Sequence, residues 1–372
     1  MSRIHLSQPE FPDDLVNQLT DFVKNPDLSS SSSLIQKFEQ KVAKIACVPY
    51  AVGLSSGTAA IHLALQVLGV HSGDYVACQS FTFCATANPI AYVGATPVFI
   101  DSELDTWNMC PHTLREYLKE ANLKNKLPKA IIYVHTYGMP AKVSDLLAVA
   151  KKYEIPVIED AAEAIGATFN GRLAGQFGDV SIFSFNGNKI GTTSGGGALV
   201  SRNKQYITKA FHLATQARLN NQFEHSEIGY NYRIGAINGL IGSVQLEHLN
   251  LSIKKRRTRF ENYYENLKDI ISISWQKENE SNYSNRWMTT ILINSSYSPQ
   301  KFIEIFDKKN IELRRLWKPL HLQLSFKGCQ FKGVGNCVDL WNKGLCLPSG
   351  KLPNEHALNK IIHLLKTTIE RE

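Results

Sequence analysis

Lys189 is the residue whose surroundings most clearly indicate chemistry. It ends the segment Ser184-Phe-Asn-Gly-Asn-Lys189, which continues an apolar run from Val180. A lysine among small residues at the end of a strand can lose its proton and attack a carbonyl. Asp160 ends an earlier apolar run, where its carboxylate can keep a pyridine nitrogen protonated. The two residues predict a pyridoxal phosphate site, with Lys189 as the covalent attachment point and Asp160 as the partner of the ring nitrogen.

A turn before the first amphipathic helix pattern could bind an anion. Ser55-Ser-Gly-Thr58 opens this helix directly after a glycine-containing apolar run. Backbone amides at a helix N-terminus, together with hydroxyl groups, bind phosphate. An ordinary N-cap explains the same residues without any ligand. Because Lys189 and Asp160 belong to the same strand pattern, we favour phosphate binding.

Two further side chains are candidates for contact with a cofactor ring. Phe83 follows the strand pattern that ends at Cys78, and an aromatic side chain there could stack on a flat ring. Glu163 lies three residues after Asp160 and could sit beside the ring edge. A core phenylalanine and an exposed glutamate at a helix start are the simpler alternatives.

The elements that must position these residues alternate along the chain. Strand patterns at 75–78, 97–100, 130–134, 156–159, 180–185 and 197–201 are separated by helix patterns at 59–68, 85–92, 111–121 and 143–153. This order predicts an α/β fold with a mostly parallel sheet covered on both faces. Ligands of such sheets bind beyond the carboxyl ends of the strands, which is where Asp160 and Lys189 lie.

The pattern changes after a long helix predicted from Ala236 to about Leu267. Strands at 270–275, 286–293 and 311–314 and helices at 299–308 and 354–366 indicate a small α+β domain. We therefore divide the chain into an N-terminal arm (1–33), a large cofactor-binding domain (34–240), and a linking helix with a small C-terminal domain (241–372).

Composition is that of an ordinary globular protein, with 372 residues, 43% hydrophobic and 20% charged. Seven scattered cysteines form no paired motif, and no signal peptide or membrane-spanning run is visible, so we expect a cytoplasmic protein with reduced thiols. The net charge of +8 favours solubility or attraction of an anionic substrate. The basic run 254–259 lies within the long helix and predicts a solvated face rather than a nucleic-acid site.

No metal site is predicted. Asp101, Glu103 and Asp105 lack the glycine and glutamate spacing of a calcium loop, so we interpret them as a solvated turn. His135 and His321 are isolated and show no zinc spacing.

Seven ordered segments resemble a known family. They are 56–65, 80–89, 97–101, 134–140, 158–167, 184–197 and 229–233, the last being Gly-Tyr-Asn-Tyr-Arg. These segments identify the chain as similar to the DegT/DnrJ/StrS sugar aminotransferases. That resemblance implies the aspartate aminotransferase-like architecture, which is fold type I of the pyridoxal phosphate-dependent transferases, with a large domain and a small α+β domain.

The resemblance also implies roles for individual residues. Lys189 would form the Schiff base, Asp160 would pair with the pyridinium nitrogen, Glu163 would contact the ring and Phe83 would stack on it. Gly57, Thr58 and Ser184 would hold the phosphate. Asn231 would reach the phosphate of a second subunit, which implies a homodimer with shared active sites.

The substrate is suggested by the form of the lysine segment. Many family members carry histidine where this chain has Asn186, and Ser-Phe-Asn-Gly-Asn-Lys resembles the members that aminate C4 of nucleotide-linked 4-keto-6-deoxy sugars. L-glutamate would donate the amino group, and the acceptor would be UDP-4-keto-6-deoxy-N-acetylglucosamine, with dTDP-4-keto-6-deoxyglucose as the alternative. Arg233, Lys318 and His321 are candidates to bind the nucleotide diphosphate.

Two other functions fit the same fold. A sugar dehydratase that uses unattached pyridoxamine is disfavoured, because related dehydratases replace the lysine that is present here as Lys189. A pyridoxal phosphate-binding regulator without turnover would need lost catalytic residues or an added DNA-binding segment, and neither is visible in the sequence.

Overall fold

A computed structural model describes residues 3–29, 31–219, 223–354 and 356–370. The described part contains helices α1 to α12, which are Asp14–Lys24, Ser33–Ile45, Gly57–Val67, Asn88–Tyr92, Pro111–Leu123, Val143–Lys152, Lys204–Ala214, Ala236–Glu247, Leu249–Leu267, Pro299–Asp307, Asn336–Lys343 and His356–Ile369. Short 3-10 turns lie at Cys84–Thr86, Thr136–Gly138, Leu320–Leu322 and Leu324–Phe326.

Its strands are β1 to β17. They are Tyr50–Leu54, Tyr75–Gln79, Thr96–Ile100, Ala130–Val134, Val157–Asp160, Thr168–Phe169, Arg172–Leu173, Val180–Ser184, Gly197–Ser201, Arg218–Leu219, Glu224–His225, Ile273–Trp275, Asn282–Tyr283, Thr289–Ile293, Arg314–Arg315, Phe331–Lys332 and Gly344–Leu347.

The main sheet has eight strands in the order β1-β9-β8-β5-β4-β2-β3-β16. Strands β8, β5, β4, β2, β3 and β16 run parallel, and β9 pairs antiparallel with both β8 and β1. The parallel strands are almost wholly buried, as expected for a sheet with helices on both faces. The predicted mostly parallel α/β sheet is confirmed.

A second sheet, β12-β14-β17-β15, is antiparallel and belongs to the C-terminal part of the chain. Its core packs α9, α10 and α12 against the sheet. Strand β16 from the same part of the chain extends the main sheet at β3. The C-terminal part of the chain therefore contributes strands to both sheets. The domain boundaries at 33 and 240 stay predictions.

The predicted N-terminal arm is partly folded onto the rest of the protein. Ile4 forms a parallel bridge with Ile311, and both Ile4 and Leu6 are buried. Helix α1 contacts α8. Of this predicted arm, residues 1, 2 and 30 lie outside the described residues.

Several sequence-based expectations are wrong in detail. The long helix is two helices, because the chain turns at His248, whose N–H donates to the Gln245 carbonyl at 3.2 Å instead of continuing the helix. The strand expected at 286–293 begins only at Thr289, since Arg286 adopts a left-handed conformation with φ of 51°. The basic run is not a uniformly solvated face, because Arg256 is buried with 6% exposure.

The acidic loop after β3 is also different from the solvated turn we expected. Asp101 and Glu103 are buried. Asp101 accepts hydrogen bonds from the backbone N–H groups of Ser102 and of residues 334–337, at 2.8 to 3.0 Å, and so anchors the start of α11. Burial alone would raise the pKa of Asp101, but a hydrogen bond from the Cys337 thiol, followed by those from the backbone N–H groups, lowers it.

All seven cysteines are free. Among the helices of the described ranges, none combines the length and apolar character needed to cross a membrane.

We expect Asp101→Asn to destabilise the protein by about 3 kcal/mol, because an amide cannot accept all of these N–H groups and several would be left unpaired. The loss should be measured by denaturant unfolding at pH 7. Asp339→Asn, on the exposed side of the same α11 helix, is the matched control and should change stability by less than about 0.5 kcal/mol.

The sign of the pH dependence follows from the lowered pKa. The stability that Asp101 contributes is present above its unfolded pKa and is lost as the pH falls through its folded pKa. The difference between wild type and Asp101→Asn should therefore shrink in acid. A constant difference down to pH 2 would contradict the role of the ionised carboxylate.

Candidate active site

The carboxyl ends of β4, β5 and β8 open into a cavity of about 520 Å³. Its lining includes the N-terminus of α3 and side chains from the C-terminal part of the chain. Seven residues proposed from the sequence line this cavity, namely Gly57, Thr58, Phe83, Asp160, Glu163, Ser184 and Lys189.

Lys189 lies in the loop between β8 and β9, and its side chain is 13% exposed. Its Nζ donates to Oε1 of Glu163 at 3.1 Å. The same Nζ lies 4.0 Å from the centre of the Trp287 ring, on its face. An ion pair and a cation–π contact thus hold the amine at one point in the cavity.

Asp160 is the last residue of β5, and its carboxylate is buried. It accepts hydrogen bonds from Oγ1 of Thr86 at 2.7 Å and from the backbone N–H of Ala162 at 3.1 Å. Burial raises the pKa of Asp160, and the Thr86 hydrogen bond only partly opposes this. A cationic partner within the cavity would favour the ionised form.

Glu163 follows on the first turn after β5. Its Oε2 accepts the backbone N–H of Tyr137 at 2.7 Å, while its Oε1 receives the Lys189 amine. Burial raises the pKa of Glu163 to about 7 and outweighs the opposing attraction of Lys189. The carboxyl can therefore exchange a proton near neutral pH.

The turn at the start of α3 forms the polar end of the cavity. Ser56 caps the helix, accepting the N–H of Ala59 at 3.0 Å. A Cβ on Gly57 would lie 3.1 Å from Cβ of Ser184, and one on Gly197 would lie 2.3 Å from the Ser56 carbonyl. A side chain at Gly197 would clash with the backbone of Ser56, and one at Gly57 would press against Ser184. Glycine at both positions therefore lets the α3 turn approach β8 and β9 closely.

Aromatic side chains form much of the remaining wall. Phe83 is 54% exposed, although it is a large apolar side chain. Its ring centre lies 6.2 Å from that of Trp317, which stacks on Tyr137 at 4.3 Å. A flat ligand bound against Phe83 would cover apolar surface that is otherwise open to solvent.

Four of the residues proposed from the sequence lie outside the cavity lining. Asn231 is exposed. Arg233 pairs with Glu39 and donates to the Gly53 carbonyl at 3.0 Å. Lys318 Nζ lies 5.8 Å from the Trp341 ring centre. His321 shares a 2.7 Å hydrogen bond with Ser80, and burial lowers its pKa.

Sequence reasoning missed several residues that line the cavity. Thr86 and Tyr137 lie within the segments 80–89 and 134–140, which carry the family resemblance. The left-handed φ of 58° at Tyr137 marks a constrained turn. Trp287 and Arg314 come from distant sequence that carries no local signal of a site, whereas Trp317 directly precedes the predicted Lys318.

The residues present fit pyridoxal phosphate. One end of the cavity offers helix amides and hydroxyls suited to a phosphate. The same cavity holds the buried Asp160 carboxylate, whose pKa is raised by burial, together with the Lys189 amine and the exposed Phe83 ring. In the described ranges, no cluster of three or more His, Cys, Asp or Glu side chains could hold a metal ion.

Known proteins share both this sequence pattern and this fold. The model of the DegT/DnrJ/EryC1/StrS aminotransferase family matches residues 10–366. The putative pyridoxal phosphate-dependent aminotransferase EpsN of Bacillus subtilis is 44% identical over 98% of this chain and 95% of its own length. GDP-perosamine synthase of Escherichia coli O157:H7 is 36% identical over 89% of both chains.

A third relative and a solved structure extend the comparison. dTDP-4-amino-4,6-dideoxy-D-glucose transaminase of Shigella dysenteriae is 29% identical over 93% of both chains. The pyridoxal phosphate form of the putative sugar aminotransferase Spr1654 of Streptococcus pneumoniae superposes with a TM-score of 0.91 at 23% identity, covering 99% of both chains. The predicted fold class, cofactor and enzyme class are confirmed: the chain belongs to the DegT/DnrJ/EryC1/StrS family of pyridoxal phosphate-dependent aminotransferases.

Proposed function

We propose that this enzyme transfers the amino group of L-glutamate to C4 of a nucleotide-linked 4-keto-6-deoxy sugar. UDP-4-keto-6-deoxy-N-acetylglucosamine is our first choice of acceptor. The observation that carries the proposal is the position of the Lys189 amine, 3.1 Å from Glu163 and in the same cavity as the buried Asp160. The family membership supports a sugar substrate.

Lys189 has two tasks in this proposal. Its amine attaches the cofactor, and once displaced by glutamate it becomes the acid and base that moves a proton at the amino acid's α-carbon. Glu163 supports both tasks, since it holds Nζ in place by the 3.1 Å contact. When bound, pyridoxal phosphate supplies an electron sink for the bonds broken at that carbon.

Asp160 and the α3 turn hold the two ends of the cofactor. The Asp160 carboxylate would pair with the protonated ring nitrogen, and this opposite charge would offset the burial that raises the pKa of Asp160. Gly57, Thr58 and Ser184 would hold the phosphate by amide and hydroxyl donors. Phe83 would cover one face of the ring.

Arg233, Lys318 and His321 remain our predicted diphosphate contacts, although none of them lines the cavity. Relatives named for GDP- and dTDP-linked sugars share this fold and sequence pattern. The second of these supports our alternative acceptor, dTDP-4-keto-6-deoxyglucose.

We expect purified enzyme with pyridoxal phosphate and L-glutamate to aminate the UDP-linked keto sugar, and Lys189→Ala to abolish the reaction. Product would be followed by mass spectrometry, with dTDP- and GDP-linked 4-keto-6-deoxy sugars offered in parallel. Lys343→Ala, an exposed lysine on α11, is the control and should retain full activity. Removing a catalytic nucleophile or base commonly costs 10³-fold or more.

The parallel substrates separate the alternatives. Product from the dTDP sugar alone would replace our first choice by the alternative. If 2-oxoglutarate forms only up to the concentration of active sites and no sugar product appears, the amino group has left glutamate but not been passed on, and another keto sugar is the acceptor. Absence of both products, with the cofactor bound, would favour a non-catalytic regulator.

Glu163→Gln should remove a pH-dependent loss of stability from the cofactor-free protein. The pKa of Glu163 is raised from 4.5 to about 7 by burial, so between these values the folded state binds more protons than the unfolded state. Wild-type stability should fall as pH rises through this window, by on the order of 3 kcal/mol relative to the variant. Urea unfolding at pH 4.5 and pH 8 measures the difference. Equal pH dependence of both proteins would contradict the raised pKa.

We also propose a cytoplasmic homodimer in which Asn231 completes the partner's phosphate site. Asn231 is exposed and lies outside the cavity of its own chain. Phe223 and Ile228, nearby in sequence, are 88% and 86% exposed, so a partner subunit at this surface would bury apolar side chains.

Hybrid dimers test this arrangement. Lys189→Ala and Asn231→Ala homodimers should both be weak or inactive, but a mixture refolded together should regain roughly a quarter of wild-type activity, because each hybrid contains one intact site. Light scattering would confirm the dimer. If mixing restores no activity, Asn231 does not act across the interface.

A further inference from the structure

Two side chains donate to the same backbone oxygen beside the catalytic lysine. Oγ of Ser7 donates to the carbonyl oxygen of Asn188 at 2.7 Å, and Nε1 of Trp287 donates to it at 2.8 Å. Asn188 directly precedes Lys189. The two donors lie far apart in the sequence. The Asn188 peptide is therefore held between the N-terminal segment and the C-terminal part of the chain.

Arg256 links the two donors to each other. Its Nη2 donates to Oγ of Ser7 at 3.1 Å, and its Nη1 donates to the Trp287 carbonyl at 2.8 Å. The guanidinium is buried, and no carboxylate in the described ranges forms an ion pair with it. Burial lowers the pKa of Arg256 to about 9, which still leaves it charged at neutral pH.

A buried charge held only by neutral acceptors is costly unless its geometry is well defined. Arginine presents its donors in a rigid planar fork, so one side chain can hold two acceptors at a set separation. Arg256, Ser7, Asn188 and Trp287 thus form a closed ring of four hydrogen bonds.

The ring also reaches the reactive amine and its carboxylate. The face of Trp287 lies 4.0 Å from Nζ of Lys189. Asn285 accepts the backbone N–H of Trp287 at 3.0 Å and donates to the Glu163 carbonyl at 2.8 Å. Both members of the Lys189–Glu163 pair are therefore tied to the same short segment, residues 285–287.

We propose that Ser7, Trp287 and Arg256 are positioning residues that fix the Asn188 peptide and thereby place the Lys189 amine for reaction. The proposal rests on the catalytic role proposed for Lys189. A lysine has four side-chain torsions, so a mobile backbone at its base would spread Nζ over several positions. Reaction rates depend steeply on such placement.

The variants that test this remove one donor each. Ser7→Ala removes the hydroxyl, and Trp287→Phe removes the indole N–H while keeping an aromatic face. Ser7→Thr keeps the hydroxyl and should restore function. The chain offers matched controls in Ser243→Ala and Trp275→Phe, because Oγ of Ser243 and Nε1 of Trp275 are buried without a hydrogen-bond partner.

The main readout is the rate at which cofactor-free enzyme captures pyridoxal phosphate. The Lys189 amine condenses with the aldehyde, a C=N bond forms and one water leaves, and absorbance of the lysine-linked cofactor reports the step. We expect Ser7→Ala and Trp287→Phe to slow capture by roughly 2- to 10-fold. The kcat should fall by a similar factor, and KM for the keto sugar should change less than about twofold.

A merely structural role predicts a different result. It would lower the melting temperature of the cofactor-free protein but leave the capture rate of the folded fraction at the wild-type value. Wild-type capture by both donor variants, or an equal slowing in both controls, would overturn the proposal. Arg256→Lys, which cannot hold both acceptors with one fork, should slow capture in the same way.

The measurement is separate from the proposed function. Capture needs only the cofactor, so it decides the positioning proposal even if none of the sugars is aminated. Loss of sugar transfer in the wild type, with normal capture and the expected slowing in the variants, would reject only the proposed substrate.

Discussion

Burial of charged groups in one cavity is the constraint on which the rest of the site depends. Lys189, Glu163 and Asp160 all lose water there, and an ionised group out of water must be paired or neutralised. Tyr137 and Lys189 donate to Glu163, yet its pKa remains raised. Asp160 also keeps a raised pKa despite its bond from Thr86. A cationic partner would therefore stabilise the buried Asp160 carboxylate, and in our proposal a protonated pyridine nitrogen would supply that charge.

The register of β5 in the main sheet must be fixed, because successive residues of a strand face opposite sides of the sheet. Glu159, next to Asp160, is buried on the other side of β5. It accepts hydrogen bonds from His135 at 2.9 Å, from Ser181 at 2.7 Å and from the N–H of Gly175 at 2.7 Å. A one-residue slip of β5 would move one of these two acids into the place of the other, turn its side chain to the opposite face and break these bonds. The acidic pair thus fixes the register that aims Asp160 into the cavity.

Seven cavity residues could be predicted from the sequence, and several of them follow a simple rule of the fold. Asp160, Ser184 and Lys189 follow the ends of neighbouring parallel strands, and such ends meet at one edge of the sheet. Trp287 could not be predicted, since it lies in a loop of the C-terminal part and reaches the cavity only through tertiary packing. The same limit applies to Ser7, whose single hydroxyl carries no pattern at all.

Arg256 shows that the charge of a basic run does not predict which of its side chains are exposed. Helix periodicity places Ile253 and Phe260 on the same side of α9 as Arg256, while Lys254 and Lys255 face solvent. An arginine between apolar neighbours at that spacing is directed inward, whatever the charges beside it. Once buried, a guanidinium needs several oxygen acceptors, and the described structure supplies them from two segments far apart in sequence. The burial of one charge on α9 therefore joins the N-terminal segment to the loop before β14, and both then contact the peptide that carries Lys189.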